Sequence, residues 1–166
     1  MLAILRQVES TLPALLVDES AWQSVFADGE KPHLRRLWRQ WGEYRIYLHH
    51  FSNCEEREEF PHPHPWKMAV RILEGEYIMG IGRSEKPNIV PELSYHTYRP
   101  GDCYELVEPD IWHAIRPIGS EALTIMVAGS VVYPQNRIRA NKAVRELTTE
   151  ERAELFARIR QHYPCS

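Results

Sequence analysis

The sequence predicts a mainly β domain with helical segments on both sides of it. Between residues 33 and 133, short apolar or alternating runs rich in Tyr, Ile, Val and Trp follow one another at intervals of about 8 to 12 residues. Glycines that can adopt positive φ separate several of these runs, at Gly42, Gly75 and Gly101. Short strands at this spacing are typical of a β-sandwich or a β-barrel.

The segments outside this zone have a helical pattern. We expect helices at residues 2–10 and 19–27, separated by Pro13. Further along the chain, Thr148 and Glu151 have the spacing of a capping box, which predicts that a helix begins there. The apolar stripe of that helix is formed by Leu155, Phe156 and Ile159. The expected organisation is a single domain with three parts: a helical N-terminal segment (1–30), a β-barrel (33–133) and a C-terminal helix (146–163).

The composition predicts a soluble, cytoplasmic protein. The 166 residues are 43% hydrophobic and 26% charged, and no run approaches the ~18 apolar residues of a membrane span. Arg6, Glu9 and Pro13 interrupt the apolar N-terminal stretch 1–16, so we expect it to be a poor signal peptide. Three widely spaced cysteines form no zinc-binding pattern, which favours a reducing compartment. A net charge of −3 gives no electrostatic reason to expect nucleic acid as a partner.

A basic run interleaved with aromatic residues is the main feature that would favour nucleic acid. Arg35, Arg36 and Arg39 alternate here with Trp38 and Trp41. Because the protein is acidic overall and the run has the alternation of a strand, we expect a solvated strand face instead.

The segment FPHPHPW, residues 60–66, stands out because prolines alternate with histidines. In a strand, His62 and His64 would lie on the same face, about 6 to 7 Å apart at the backbone. The alternate prolines remove N–H donors from one edge, which is typical of an edge or terminal strand. Each proline also restricts the preceding histidine to an extended conformation. The segment therefore predicts a rigid pair of ligands, although an exposed loop with idle histidines would also fit.

Two motifs of the chain resemble the cupin superfamily. His62-x-His64 followed by Gly75 resembles the first cupin motif, HxH(x3–4)E(x6)G. Pro100-Gly101-Asp102 and the segment Pro109 to His113 resemble the second motif. The resemblance implies a double-stranded β-helix, or jelly-roll barrel, with a divalent metal held by His62, His64 and His113. Three neutral imidazoles suit Fe(II), Mn, Ni, Cu or Zn and leave positions open for substrate and for water or dioxygen.

The departures from the cupin pattern limit which types of cupin the chain resembles. Met68 stands where most metal cupins have a glutamate, and the second motif has Ile111 near the place of its usual glycine. The first motif is similar to three-histidine Fe(II) cupins without the glutamate, such as the thiol and gentisate-type dioxygenases. Val70, however, stands where the gentisate pattern has an arginine. We therefore expect a three-histidine site, and not a gentisate enzyme.

Several other side chains are candidates for the site. The face shared with His64 continues through Trp66, Met68, Val70 and Ile72. The candidates for substrate binding are Met68, Tyr77, Tyr98 and Met126. Arg71 has the opposite parity and should point outward. His49 and His50 should lie on opposite faces, one buried and the other exposed.

These observations predict a metal-binding cupin, and an Fe(II)-dependent dioxygenase of a small molecule fits best. The alternative from another class is a non-catalytic cupin that binds a small ligand with weakly held metal or none. A purely structural β domain is the third interpretation. Since jelly rolls expose sheet edges, we also expect a homodimer.

Overall fold

A long helix precedes the strands and a second helix follows them. The computed structural model describes residues 1–29, 31–84, 86, 89–134 and 144–164. Its helices are α1 (Leu2–Leu15) and α2 (Thr149–His162). Its strands are β1 (Gln23–Ala27), β2 (Leu34–Trp41), β3 (Tyr44–Phe51), β4 (His62–Pro63), β5 (Trp66–Arg83), β6 (Ser94–Tyr98), β7 (Cys103–Leu106), β8 (Ile111–Val131) and β9 (Val144–Arg145).

Two long strands, β5 and β8, run through both layers of the structure. The first half of β5 pairs with the second half of β8 and with β7. The second half of β5 pairs with the first half of β8 and with β6. The first sheet is completed by β3, β2, β1 and β9, and the second sheet by β4. The result is a mainly antiparallel, cupin-like β fold, which confirms the predicted fold class.

The bend in β5 lies at Gly75, where the sequence predicts a turn between two separate strands. Gly75 has φ of 70°, and the pairing with β8 shifts register on both sides of it, at Ile72/Glu74 and Glu74/Glu76. A Cβ atom at Gly75 would clash with the carbonyl oxygen of Glu121. The glycine therefore bends a continuous strand instead of ending it. The pairing with β8 resumes after two irregularities: β5 has one extra residue between Ile72 and Glu74, and β8 goes from Leu123 to Ile118 while β5 goes from Glu74 to Glu76.

The N-terminal region differs from the prediction. Pro13 lies inside α1, which continues to Leu15. Residues 19–27 are not a helix: a single 3₁₀ turn at Glu19–Ala21 is followed by β1, which pairs with β2 along its whole length. Pairing with the edge of an existing sheet outweighs the weak local preference of this segment.

Two apolar cores separate the layers. The outer core lies between the first sheet and the helices, and it contains Leu37, Ile46 and Leu48 of the strands. The inner core lies between the two sheets. Its members include Met68, Val70, Ile72, Tyr77 and Met126. Both faces of the first sheet are therefore covered, which explains why nearly every residue of β3 is buried.

The second helix forms as predicted. The Glu151 N–H donates to Thr148 Oγ1 over 3.2 Å, and the Thr148 N–H donates to Glu151 Oε2 over 2.9 Å. This capping box satisfies two donors at the start of α2. Leu155, Phe156 and Ile159 are buried in the outer core. In the described ranges, neither helix is long and apolar enough to cross a membrane.

Candidate metal centre

The fold brings the two histidine motifs together. β4 pairs with β8 so that His62 lies directly opposite His113. His64 follows two residues after His62, and the three ring centroids lie 4.8 Å from one another in every pair. One nitrogen from each ring can be chosen so that all lie within 4.8 Å of one another. His62, His64 and His113 thus form one cluster, at the positions that the sequence predicts.

The proline run places this cluster at the end of a short strand. β4 has only two residues, His62 and Pro63, and it pairs with β8. This agrees with the expected terminal strand, because a central strand would need the N–H groups that the prolines lack.

Hydrogen bonds orient the imidazoles within the cluster. His62 Nδ1 lies 2.8 Å from the carbonyl oxygen of Phe60. A carbonyl oxygen can only accept, so Nδ1 carries the proton and Nε2 keeps its lone pair. His64 Nε2 and His113 Nε2 lie 2.8 Å apart. Two nitrogens bound to one ion at about 2.0 to 2.1 Å would lie about 3 Å apart, so this spacing suits a shared divalent ion.

Burial keeps the imidazoles of His64 and His113 neutral. It lowers the pKa of His64 well below its ordinary value, and the nearby His113 and His62 lower it further. Burial also lowers the pKa of His113 well below its ordinary value, and the nearby His62 lowers it further. Neutral imidazole is the form that binds a metal. The cluster found among the described residues contains no carboxylate, so its donors are three imidazole nitrogens.

The histidines line a partly open cavity of about 840 Å³ between the two sheets. This volume is in the range of small-molecule sites. Met68, Tyr77 and Met126, three of the candidates for substrate binding, line the cavity. Tyr98 is not among the lining residues. Its ring lies 6.0 Å from that of Tyr77 and 4.9 Å from that of Tyr104, two residues that do line the cavity.

Arg71 points away from the cavity, as expected from its parity. Its guanidinium is paired with the carboxylate of Glu9 in α1, with Nη2 donating to Oε2 over 3.1 Å. It therefore anchors the helix to the first sheet.

The prediction that the arginines of β2 lie on a solvated face is wrong, because one face of the strand lines the cavity and the other faces the helices. Arg36 lines the cavity. Arg35 and Arg39 face the helices: Arg35 pairs with Glu154 at 3.3 Å, and Arg39 Nη1 donates to the Leu15 carbonyl over 3.0 Å. The sequence alternation separates these two sets, but it does not reveal that helices cover the outer face and a cavity the inner one.

The two histidines of β3 also depart from the prediction, because both are buried, each with 6% of its surface exposed. His49 lines the cavity. His50 faces the other way and lies 2.8 Å from Glu121 and 2.9 Å from Arg158. They do lie on opposite faces, as expected, but α2 covers the outer one.

Comparisons with known proteins give a fold likeness and no family. No family model matches the chain, and no curated protein matches its sequence. Among solved structures, hydroxypropylphosphonic acid epoxidase from S. wedmorenis is similar with a TM-score of 0.47 and 15% identity, over 57% of this chain and 50% of the epoxidase. Protein NMB1881 from Neisseria meningitidis is similar with a TM-score of 0.44 and 11% identity, over 57% of this chain and 82% of that one. The match spans half the length of the epoxidase, so the chemistry of the site must follow from its own residues.

Proposed function

We propose that the chain is an Fe(II)-dependent dioxygenase that acts on a small molecule at the cluster of His62, His64 and His113. The main support is the convergence of three imidazoles, held neutral or oriented by burial and hydrogen bonds, in one cavity. Imidazole donors suit iron, and three of them leave coordination positions open. The metal, when bound, would supply a redox-active Lewis acid to which substrate and dioxygen have access.

The lining of the cavity favours redox chemistry over hydrolysis. A metal-assisted hydrolase commonly needs a carboxylate near the metal as general base. The described residues that line this cavity include no aspartate or glutamate. The oxidation of a small molecule by dioxygen has no such requirement.

The chain's own residues prepare the site for substrate. The Phe60 carbonyl fixes the tautomer of His62, which keeps Nε2 ready for the metal. The apolar side chains of Met68, Val70 and Met126 line the cavity and exclude water from part of its wall.

A pair of tyrosines adds a polar point to this apolar wall. The Tyr77 hydroxyl donates to the Tyr104 hydroxyl over 2.8 Å, and both residues line the cavity. Burial, followed by the effect of Tyr104, raises the pKa of Tyr77 well above its ordinary value. Burial also raises the pKa of Tyr104. Both phenols therefore stay protonated, and Tyr104 can donate its own proton to a substrate acceptor.

Metal analysis and dioxygen uptake test this proposal. Untagged protein reconstituted with Fe(II) under nitrogen should hold about one ion per chain, and His113→Ala should hold none. His96→Ala, a change at an exposed histidine of β6, should bind metal as the wild type does. The iron form should consume dioxygen with at least one member of a panel of thiols, catechols and aromatic acids.

Three outcomes separate the alternatives. Wild-type protein that binds no metal would refute the site itself. Metal binding without dioxygen uptake across the panel would favour a non-catalytic binding protein. A metal content that does not differ between His113→Ala and wild type would place the ion elsewhere.

A further inference from the structure

Three polar side chains form a straight row across the first sheet. In the register of the sheet, Arg36 of β2 lies opposite His49 of β3, and His49 lies opposite Thr124 of β8. Residues that are directly opposite share one face of a sheet. All three line the cavity that holds the histidine cluster.

Each member of this row has a buried polar atom without a hydrogen-bond partner in the described part of the chain. These atoms are Arg36 Nε, His49 Nε2 and Thr124 Oγ1. Buried polar atoms are nearly always satisfied in folded proteins, because the loss of water is otherwise uncompensated. Three such atoms side by side do not stabilise the fold, so they indicate a surface that is completed by a ligand.

The charge of the row is also unbalanced. On the outer face of the same sheet, Arg35 pairs with Glu154 and Arg71 with Glu9. The groups that act on Arg36 differ: burial lowers its pKa, the Tyr47 hydroxyl raises it and Arg45 lowers it, and no carboxylate of the described residues is among them. A guanidinium nevertheless stays charged at any physiological pH.

The charged side chains that line the rest of the cavity are also positive. Lys31, Arg36 and Arg45 line it, and no acidic residue of the described ranges does. Lys31 is neutralised by Glu58 at 2.8 Å. The Arg36 and Arg45 guanidinium carbons lie 5.2 and 6.0 Å from the ring centre of Tyr47, so two cations flank one aromatic ring at the wall.

The row lies close to the histidine cluster. Arg36, His49 and Thr124 line the same cavity as His62, His64 and His113. A small molecule bound to the row would therefore have its other end within reach of the three histidines.

We propose that the row of Arg36, His49 and Thr124 recognises an oxyanion of the substrate, so that the substrate class is small organic anions. Arg36 pairs with the anion through its guanidinium, and His49 and Thr124 hydrogen-bond to the same group or to its neighbour. This inference rests on the proposed function, because it assigns the row as the anchor of a substrate whose reacting end meets the metal. Carboxylates and phosphate esters share the chemistry that the row would recognise.

Matched acid and amide probes test the inference without turnover. Isothermal titration on the Zn(II)-loaded protein and on the EDTA-treated protein would use 3-mercaptopropionate against its amide and benzoate against benzamide. Phenyl phosphate against phenol would be the third pair. The wild type should prefer at least one acid over its neutral partner by at least about tenfold, since charged hydrogen bonds are the stronger ones. The acid that binds shows whether the recognised anion is a carboxylate or a phosphate.

Variants place the preference on the row. Arg36→Gln should remove the preference for the acid while leaving weak binding of the amide unchanged. Thr124→Val should weaken the binding of the acid by a smaller factor than Arg36→Gln does. Arg35→Gln is the matched control, because it removes a guanidinium from the same strand on the opposite face. Its acid preference should equal that of the wild type.

The outcomes are separable from those of the proposed function. Acid preference that persists in EDTA-treated protein and in His113→Ala would support the row even if no dioxygen were consumed. Failure of the wild type to prefer any of the three acids would overturn the inference, and so would an unchanged preference in Arg36→Gln. A thermal melt of Arg36→Gln without ligand separates a structural role: we expect its Tm to stay the same or rise, and a marked fall would assign Arg36 to the fold.

Discussion

Acid should unfold the metal-free protein steeply below about pH 6.5, and three buried histidines are the cause. The pKa values of His49, His64 and His113 are all lowered well below 6.5, in each case chiefly by burial. The unfolded chain binds protons at the ordinary value of about 6.5. Between that value and the lowered folded pKa, the unfolded state holds more protons, so stability falls as the pH falls.

The size of the effect follows from the number of imidazoles. Each contributes about 1.4 kcal/mol per pH unit once its unfolded form is protonated. As long as all three stay neutral in the folded state, together they give a slope that approaches about 4 kcal/mol per unit below the ordinary pKa, a large part of the 5 to 15 kcal/mol that is typical of folded domains. Carboxylates whose pKa is lowered by folding change stability in the same direction, chiefly at a pH near or below their ordinary value of about 4.3. The Glu151 pKa, lowered to about 2 by its hydrogen bond to Arg145, makes a contribution that is lost only at lower pH.

Urea unfolding between pH 7.5 and 5 in EDTA, followed by circular dichroism, measures this slope. His64→Gln removes one of the three histidines that bind a proton on unfolding. The slope of its free energy of unfolding against pH should therefore be about one third smaller than that of the wild type. His96→Gln, a change at an exposed histidine of β6, is the matched control against which the slope of His64→Gln is compared. Equal slopes in His64→Gln and the wild type would refute the assignment of a neutral, buried His64.

Three further predictions concern stability at neutral pH. Gly75→Ala should lower the free energy of unfolding by at least about 2 kcal/mol in urea titrations, because φ is positive and the Cβ clashes. At Gly42, φ is also positive, but an added Cβ would have no atom within 4 Å beyond its chain neighbours. Gly42→Ala should therefore lower the free energy of unfolding by only about 1 kcal/mol. Equal losses in Gly75→Ala and Gly42→Ala would argue against the clash at Gly75. Thr148→Ala should cost about 1 kcal/mol through the lost cap, and Thr149→Ala, one residue along, much less. Metal at a hundredfold excess over its Kd should raise Tm by about 5 to 10 °C in a thermal melt, and no shift would contradict specific binding to the folded state.

The parts of the fold that depend on local chemistry could be predicted from the sequence. The runs at Leu34–Trp41 and Tyr44–Phe51 match β2 and β3 because alternation and a turn glycine define both strands. The histidine cluster could be predicted because the proline spacing fixes the direction of His62 and His64 before any tertiary contact forms. The place of His113 came from a motif, and its pairing with His62 completes the cluster.

The parts that were missed depend on contacts distant in sequence. β1 becomes a strand through pairing with β2, and its own residues give little sign of this. Gly75 has the same local signature in a turn and in a bulge, and only the approach of Glu121 distinguishes them. Arg36 looked like a solvated residue because the sequence does not state that both faces of the sheet are covered.

That double coverage gives the polar residues of the first sheet a definite meaning. When both faces of a sheet are buried, any polar side chain on it needs a partner. On the outer face the partners include side chains of the helices, as in Arg35 with Glu154 and His50 with Arg158. On the inner face, Arg36 Nε and Thr124 Oγ1 have none among the described residues. Arg39 Nε on the outer face also has no partner in the described part of the chain, but the Arg39 guanidinium is anchored there by its hydrogen bond to the Leu15 carbonyl. The unsatisfied atoms of Arg36, His49 and Thr124 instead lie on the face that lines the cavity with the histidine cluster, where the proposed substrate could pair with them.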